Sequence, residues 1–334
     1  MKPSCQETVQ VRHALQGALE DVEPGSLIML ACSGGPDSCA LAAAAAFVAP
    51  RRGLRTHAVV IDHGLQEGSD RIARWAQEVC LRLGIASAEV TRVHVGRQGG
   101  PEAAARDARY AALTGRAQAL GATTVLLGHT MDDQAETVLL RLARGSGARS
   151  LSGMRARDGL WRRPLLGLSR ALVRACAVEA LGEIGEHAWH DPHNDDPRFT
   201  RPRVRAALGT LSAALELDVV DGLSRTAEML RDDADALDGM AAQAAEELVQ
   251  EDATGLSCDT QALIGQPRAL RTRIIRAMCL QAGCDAGALT AEHVWAVERL
   301  VTRWHGQGPT RLPGAVSAER RYGRLTVHRP PATE

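Results

Sequence analysis

At 334 residues the chain is long enough for two or three domains, and its 45% hydrophobic content and net charge of -1 are those of an ordinary globular protein. No apolar run approaches the roughly 20 residues of a membrane-spanning helix. The first residues, Met1, Lys2, Pro3, Ser4 and Cys5, also lack a signal-peptide pattern, so a cytoplasmic protein with no membrane partner is expected. The eight cysteines include no C-x-x-C pair, which favours scattered reduced thiols over disulfides or a zinc site. Lys2 is the only lysine, so a Walker A loop is excluded and any phosphate site must rely on backbone amides and arginines.

The apolar run from Leu27 to Cys32 reads as a buried strand, and the alanine-rich segment after Pro36 reads as a helix. "THAVVIDHGL" (56–65) is a second strand, ending at Asp62 and His63, and "SDRIARWAQEVCLRLG" (69–84) a helix that Ser69 is placed to cap. A third strand follows over 85–95, and then a helix over 100–121, with Pro101 in its first turn and Gly121 just past its end. "TTVLLGHT" (123–130) is the fourth strand and "DDQAETVLLRLARG" (132–145) the fourth helix. This alternation predicts an α/β fold, a parallel sheet with helices on both faces, whose ligands bind at the carboxyl ends of the strands. Ser33, Asp62 and His129 all lie just past strand ends and should converge there.

The chain is rich in arginine from 146 to 205, and in "RFTRPRVR" (198–205) the alternating Arg201, Arg203 and Arg205 are expected to point together into a site mouth. Residues 221–250 read as one long acidic helix, a linker. The remainder, 255–330, reads as a small mixed domain in which Tyr322-Gly323 turns a hairpin. Trp161, Trp189 and Phe199 are the few candidates for base stacking, and core packing is the expected use of each.

Between the first strand and its helix stands "SGGPDS", residues 33–38. Glycines before a helix N-terminus expose amides to an anion, and Ser33 and Ser38 add hydroxyls. Asp37 is a carboxylate where phosphates would sit, which suits a Mg²⁺ held between them. A plain strand-turn-helix connection uses the same residue types. In "DDQAE", Asp133 and Glu136 share a helix face, and capping by Asp132 and Asp133 is the simpler use of the same carboxylates.

"SGGPDS" resembles the pyrophosphate loop of the PP-loop ATP pyrophosphatases. "AVVIDHGL" (58–65), "GHTMDDQAETVLLRLARGSG" (128–147) and "DPHNDDPRFTRPRVRAAL" (191–208), with "PEAAARDARYAAL", resemble in order and spacing the motifs of the tRNA(Ile)-lysidine synthetases. The resemblance covers most of 27–208 and implies ligation of L-lysine to C2 of the wobble cytidine in the CAU anticodon of an isoleucine tRNA. ATP and Mg²⁺ would be used, and pyrophosphate and then AMP released. It implies ATP binding by Ser33, Gly34, Gly35, Pro36, Asp37, Ser38, Asp62 and His63, and metal binding by Asp37 and Asp133. Catalytic work would fall to Asp133, Glu136, Asp37 and His129, with tRNA or phosphate contacts from Arg106, Arg109, Arg201, Arg203 and Arg205. The implied division is a catalytic domain over 1–208, a helical linker over 209–252 and a tRNA-binding domain over 253–334; a homodimer is compatible with it. One departure is Pro202, where the family pattern leads one to expect asparagine. A tRNA thiolase would need a C-x-x-C pair and a glutamine-dependent synthetase a glutaminase part, and neither is seen. A non-catalytic ATP-sensing or tRNA-binding protein on the same fold would not need Asp37, Asp133 and Glu136 together.

Overall fold

A computed structural model describes residues 5–64, 68–96, 100–252 and 255–329. The chain divides into two compact units, 1–230 and 231–334.

In the first unit α1 (Gln6–Ala18) precedes β1 (Leu27–Cys32), α2 (Pro36–Arg51), β2 (Arg55–Asp62), α3 (Ser69–Arg82), β3 (Ser87–Arg92), α4 (Pro101–Leu120), β4 (Thr124–Leu126) and α5 (Met131–Ala143). The short α6 (Ala148–Leu151), β5 (Arg157–Asp158) and β6 (Trp161–Arg162) follow, then α7 (Arg170–Glu183), α8 (Thr200–Leu215) and the start of α9 (Val219–Leu248), whose residues from Arg231 onward belong to the second unit. The sheet order is β3-β2-β1-β4-β6-β5, parallel except for the β5–β6 pair at one edge. The expected doubly covered parallel sheet is what forms.

Alternation along the central strands sends side chains into two cores. Ile28, Leu30, Cys32, Ala58 and Val60 join the layer made with α1, α2, α3 and α7. Met29, Ala31 and Val59 face Leu113 and Ala117 of α4 with Val125 and Leu127. The alanines of α2 are buried almost throughout, since small side chains let this helix lie between the sheet and its neighbours. Ser69 does not cap α3: Gly68, at φ 77°, is the N-cap and Ser69 the first helical residue. Gly121, at φ 66°, does end α4. Leu65, the last residue of the second strand motif, lies outside the described residues.

In the second unit β7 (Val249–Asp252), β8 (Gly255–Asp259), α10 (Thr260–Gly265), α11 (Arg268–Gln281), α12 (Ala291–Thr302), β9 (Thr310–Leu312), β10 (Val316–Arg321) and β11 (Arg324–His328) form an antiparallel sheet, order β7-β8-β11-β10-β9, with helices against it. Leu237, Ala241 and Leu248 of α9 pack into its core. Tyr322 and Gly323, at φ 49° and 76°, make the anticipated two-residue hairpin turn between β10 and β11.

Candidate active site

β1 ends in the loop Ser33–Gly35, and α2 begins at Pro36 with no side chain capping its N-terminus. Its first-turn amides are therefore left for an external acceptor. Gly34 has φ 79°, and a Cβ there would stand 2.8 Å from the Trp75 ring. Gly35 is different: at φ -73° it needs no glycine for its torsions, and a Cβ would meet only Ser33 Oγ, at 3.5 Å. The loop is held from both sides. Ser38 Oγ accepts from Ser33 N at 3.2 Å and donates to Gly35 O at 2.9 Å, and Trp189 N donates to Gly34 O at 3.0 Å.

Two cavities open along the carboxyl ends of the strands and share Ala31, Ser33 and Arg109. One, about 290 Å³, is walled by Ile61, Ile72, Ala73 and Trp189 and floored by Asp62, His63 and Gly64. Asp62 accepts from Gly64 N at 2.9 Å, which fixes the strand-end turn. Burial, and then the charge of Arg109, hold His63 below its ordinary pKa. The other cavity, about 220 Å³, takes Gly35 to Ser38, His129, Asp133, Arg170, Arg174, Arg201 and Arg205 among its lining. Ser33, Asp62 and His129 thus converge on one edge, but in two adjoining chambers.

Inside the second chamber the carboxylates differ sharply. Asp37 has a buried Oδ1 with no hydrogen-bond partner, and burial followed by the nearby Asp133 charge pushes its pKa up to about 6. Burial also raises Asp133, but Arg170 and the Thr130 N–H outweigh it and hold that carboxyl below its usual range. Asp133 accepts from Thr130 N at 2.9 Å, closing a capping box on α5, and from Arg170 Nη2 at 2.8 Å. Capping and site placement therefore coincide in one residue. Glu136 is nearly inaccessible. Its Oε1 takes Arg170 Nη2 at 3.0 Å and Arg205 Nε at 3.0 Å, while Oε2 is buried without a partner. His129 is driven down to about 3 by burial and then by Arg109, so its imidazole is neutral near pH 7, with Nδ1 unpartnered.

Two expectations change. "RFTRPRVR" does not alternate like a strand: from Thr200 it is α8, so Arg201 and Arg205, four apart, share the face that lines the chamber. Arg203 is exposed and lies outside that lining. Pro202 costs α8 no hydrogen bond, because the N–H it lacks belongs to the first turn. Arg109 lines both chambers, whereas Arg106 lies exposed against the Tyr110 ring, 4.8 Å from its centroid.

Sequence reasoning passed over Arg170, Arg174 and Asn194 as individual site residues. The cue for Arg170 was Ser169, which caps α7 and sets Arg170 in its first turn. Trp161 packs edge-on against Tyr110, Phe199 lies against His193, and Trp189 walls the first chamber. The seven cysteines other than half-buried Cys5 are buried.

A PP-loop domain model matches residues 7–211. The chain is 54% identical to the tRNA(Ile)-lysidine synthase of Thermobifida fusca (strain YX), over 95% of this chain and 96% of that one. The chain belongs to the tRNA(Ile)-lysidine synthase family. The enzyme of that name from Streptomyces coelicolor is also 54% identical, over 90% of this chain and 85% of its own. A model of the TilS substrate binding domain matches residues 259–326. The U34-tRNA thiolase NcsA of Methanococcus maripaludis, solved with its 4Fe-4S cluster, shares the fold. Its TM-score is 0.56 at 16% identity, over 68% of this chain and 81% of that one. No helix among the described residues is long and apolar enough to cross a membrane.

Proposed function

We propose that the chain adenylates the wobble cytidine of an isoleucine tRNA with a CAU anticodon and then joins L-lysine to C2 of that base, making lysidine in the cytoplasm. The observation that carries this reading is the pairing of an uncapped α2 N-terminus with two unlike carboxylates, Asp37 and Asp133, in an arginine-lined chamber.

ATP lies across both chambers, its adenosine against Ile61, Ile72 and Trp189 and its phosphates on the Ser33–Ser38 loop. Asp62 and His63 then border the nucleoside. The cytosine O2 attacks the α-phosphorus, and pyrophosphate leaves towards the α2 amides and the guanidinium groups of Arg174 and Arg201, which stabilise its charge. Asp37 and Asp133 suit a magnesium ion, which takes one or two carboxylates together with substrate phosphates: the unpartnered Asp37 Oδ1 is a vacant ligand atom beside a second acidic group. When bound, that ion neutralises phosphate charge.

Lysine then attacks C2 and AMP leaves. Its ammonium, with a pKa of about 10.4 in water, must first give up a proton. Asp133, in the chamber lining, draws the cation in and accepts that proton, while Glu136, buried outside the lining, acts by holding Arg170 and Arg205. His129, neutral and with a free ring nitrogen, is a hydrogen-bond partner for the base and not a proton donor from its charged form.

The test is incorporation of labelled lysine into a CAU-anticodon isoleucine tRNA transcript, with ATP and Mg²⁺, by the wild-type protein and Asp133→Asn. Incorporation that needs every component and collapses in the variant is the expected result. Pyrophosphate release without lysine transfer would refute the nucleophile, and silence in both assays would refute the enzyme.

A further inference from the structure

The second unit carries a groove of its own, about 500 Å³, between the first turn of α11 and one face of α12. Trp295, Glu298 and Arg299 recur at the three- and four-residue steps of one face of α12, Arg303 follows as its C-cap, and Arg268 and Arg271 line the opposite wall. Glu298 is buried and holds both wall arginines, Arg271 Nη2 at 2.9 Å and Arg268 Nε at 3.3 Å. One carboxylate thus fixes two guanidinium groups and leaves the groove with an excess of positive charge. Arg299 and Arg303 are exposed and have no ion-pair partner among the described residues. The Trp295 indole is 44% exposed beside them, with the Arg268 guanidinium 5.9 Å from its ring centroid.

We propose that this groove binds an unpaired stretch of RNA, with one base stacked on Trp295 and adjacent phosphates on Arg299 and Arg303. An open planar ring among unpaired cations fits a strand that presents a flat base and a phosphate together. An acidic polypeptide would satisfy the arginines and leave the indole without a partner. The choice of RNA over such a peptide rests also on the proposed function, whose substrate is a tRNA.

The experiment measures binding of an unstructured RNA of about ten nucleotides to the full chain at several salt concentrations. Wild type, Trp295→Ala, Trp295→Phe and the double variant Arg299→Gln/Arg303→Gln are compared. Trp295→Ala should weaken binding at least about fivefold, and Trp295→Phe should restore most of it. The double variant should flatten the log–log salt slope by about 1.4, the loss of two phosphate contacts. Lysine incorporation into a short anticodon stem-loop should be unchanged in all of them, because these residues lie outside the catalytic unit. Equal RNA affinity in all four proteins would overturn the groove assignment, as would an acidic peptide that wild type binds more tightly than RNA. Normal RNA binding without lysine incorporation by wild type would leave the groove standing and remove the proposed function instead.

Discussion

Asp132 Oδ2 accepts the backbone N–H of Arg170 at 2.7 Å, so the first turn of α5 caps the first turn of α7. This bond fixes the root of the arginine whose tip reaches Asp133 and Glu136. Asp132→Ala should cost about 1 kcal/mol of stability, as for loss of a helix cap, and lower kcat by loosening Arg170. Asp132→Asn, which keeps an acceptor, should recover most of both. Urea midpoints alongside pyrophosphate release read the two effects separately.

Arg170 and Arg205 both donate to Glu136 Oε1, but their burial differs: the Arg170 side chain is 9% exposed and that of Arg205 34%. Arg170→Met takes the cation from buried Asp133 and leaves buried Glu136 with Arg205 alone, and should destabilise the protein by about 3–5 kcal/mol. Arg205→Met leaves Arg170 in place and should cost about 1 kcal/mol or less while depressing turnover. Equal melting losses in the two variants would contradict this account of the network.

The two loop glycines should separate in the same way. Gly34→Ala puts a side chain at positive φ and against Trp75, so it should lose at least about 1–2 kcal/mol of stability together with ATP binding. For Gly35→Ala, at an ordinary φ, the weaker N-cap is offset by reduced freedom of the unfolded chain, so stability should stay within about 0.5 kcal/mol. ATP affinity should still fall, because the added methyl faces the phosphate loop. Calorimetric titration with ATP and chemical denaturation distinguish the outcomes.

Glu89 offers a pH test away from the site. Burial pushes its carboxyl up, but the two bonds from Arg116, at 2.6 and 2.8 Å, and the charge of His57 outweigh that and lower its pKa. A depressed acid stabilises the fold above its unfolded pKa and loses that contribution as pH falls through the folded value. Wild type should therefore exceed Glu89→Gln in urea midpoint at pH 7, with the gap closing below about pH 4.

The legible parts of the fold were those where a backbone rule and a side-chain pattern agreed. β1 was readable because every residue from Leu27 to Cys32 is buried, and the end of α4 because Gly121 takes a left-handed torsion. The Tyr322-Gly323 turn announced itself between two alternating runs. α8 misled because arginines two apart around a proline imitate a strand, although a proline in the first turn is as compatible with a helix. Asp133 and Asp37 stood out through their motifs, and the fold brings both into one chamber. Arg170 was lost among many arginines, since only the folded chain shows which of them is buried against carboxylates. Trp295 was not among the aromatics singled out in the sequence, and only the folded chain shows that it is exposed.

The cations around Asp37 and Asp133 are Arg109, Arg170, Arg174, Arg201 and Arg205, and no side chain in that lining carries a primary amine. On the proposed chemistry an activated cytosine waits there for an amine. Guanidinium groups stay protonated and do not compete for it. An enzyme that built its phosphate site from lysines would risk ligating itself to its own substrate. With arginine alone, the intermediate is kept chemically patient until a free amino acid arrives.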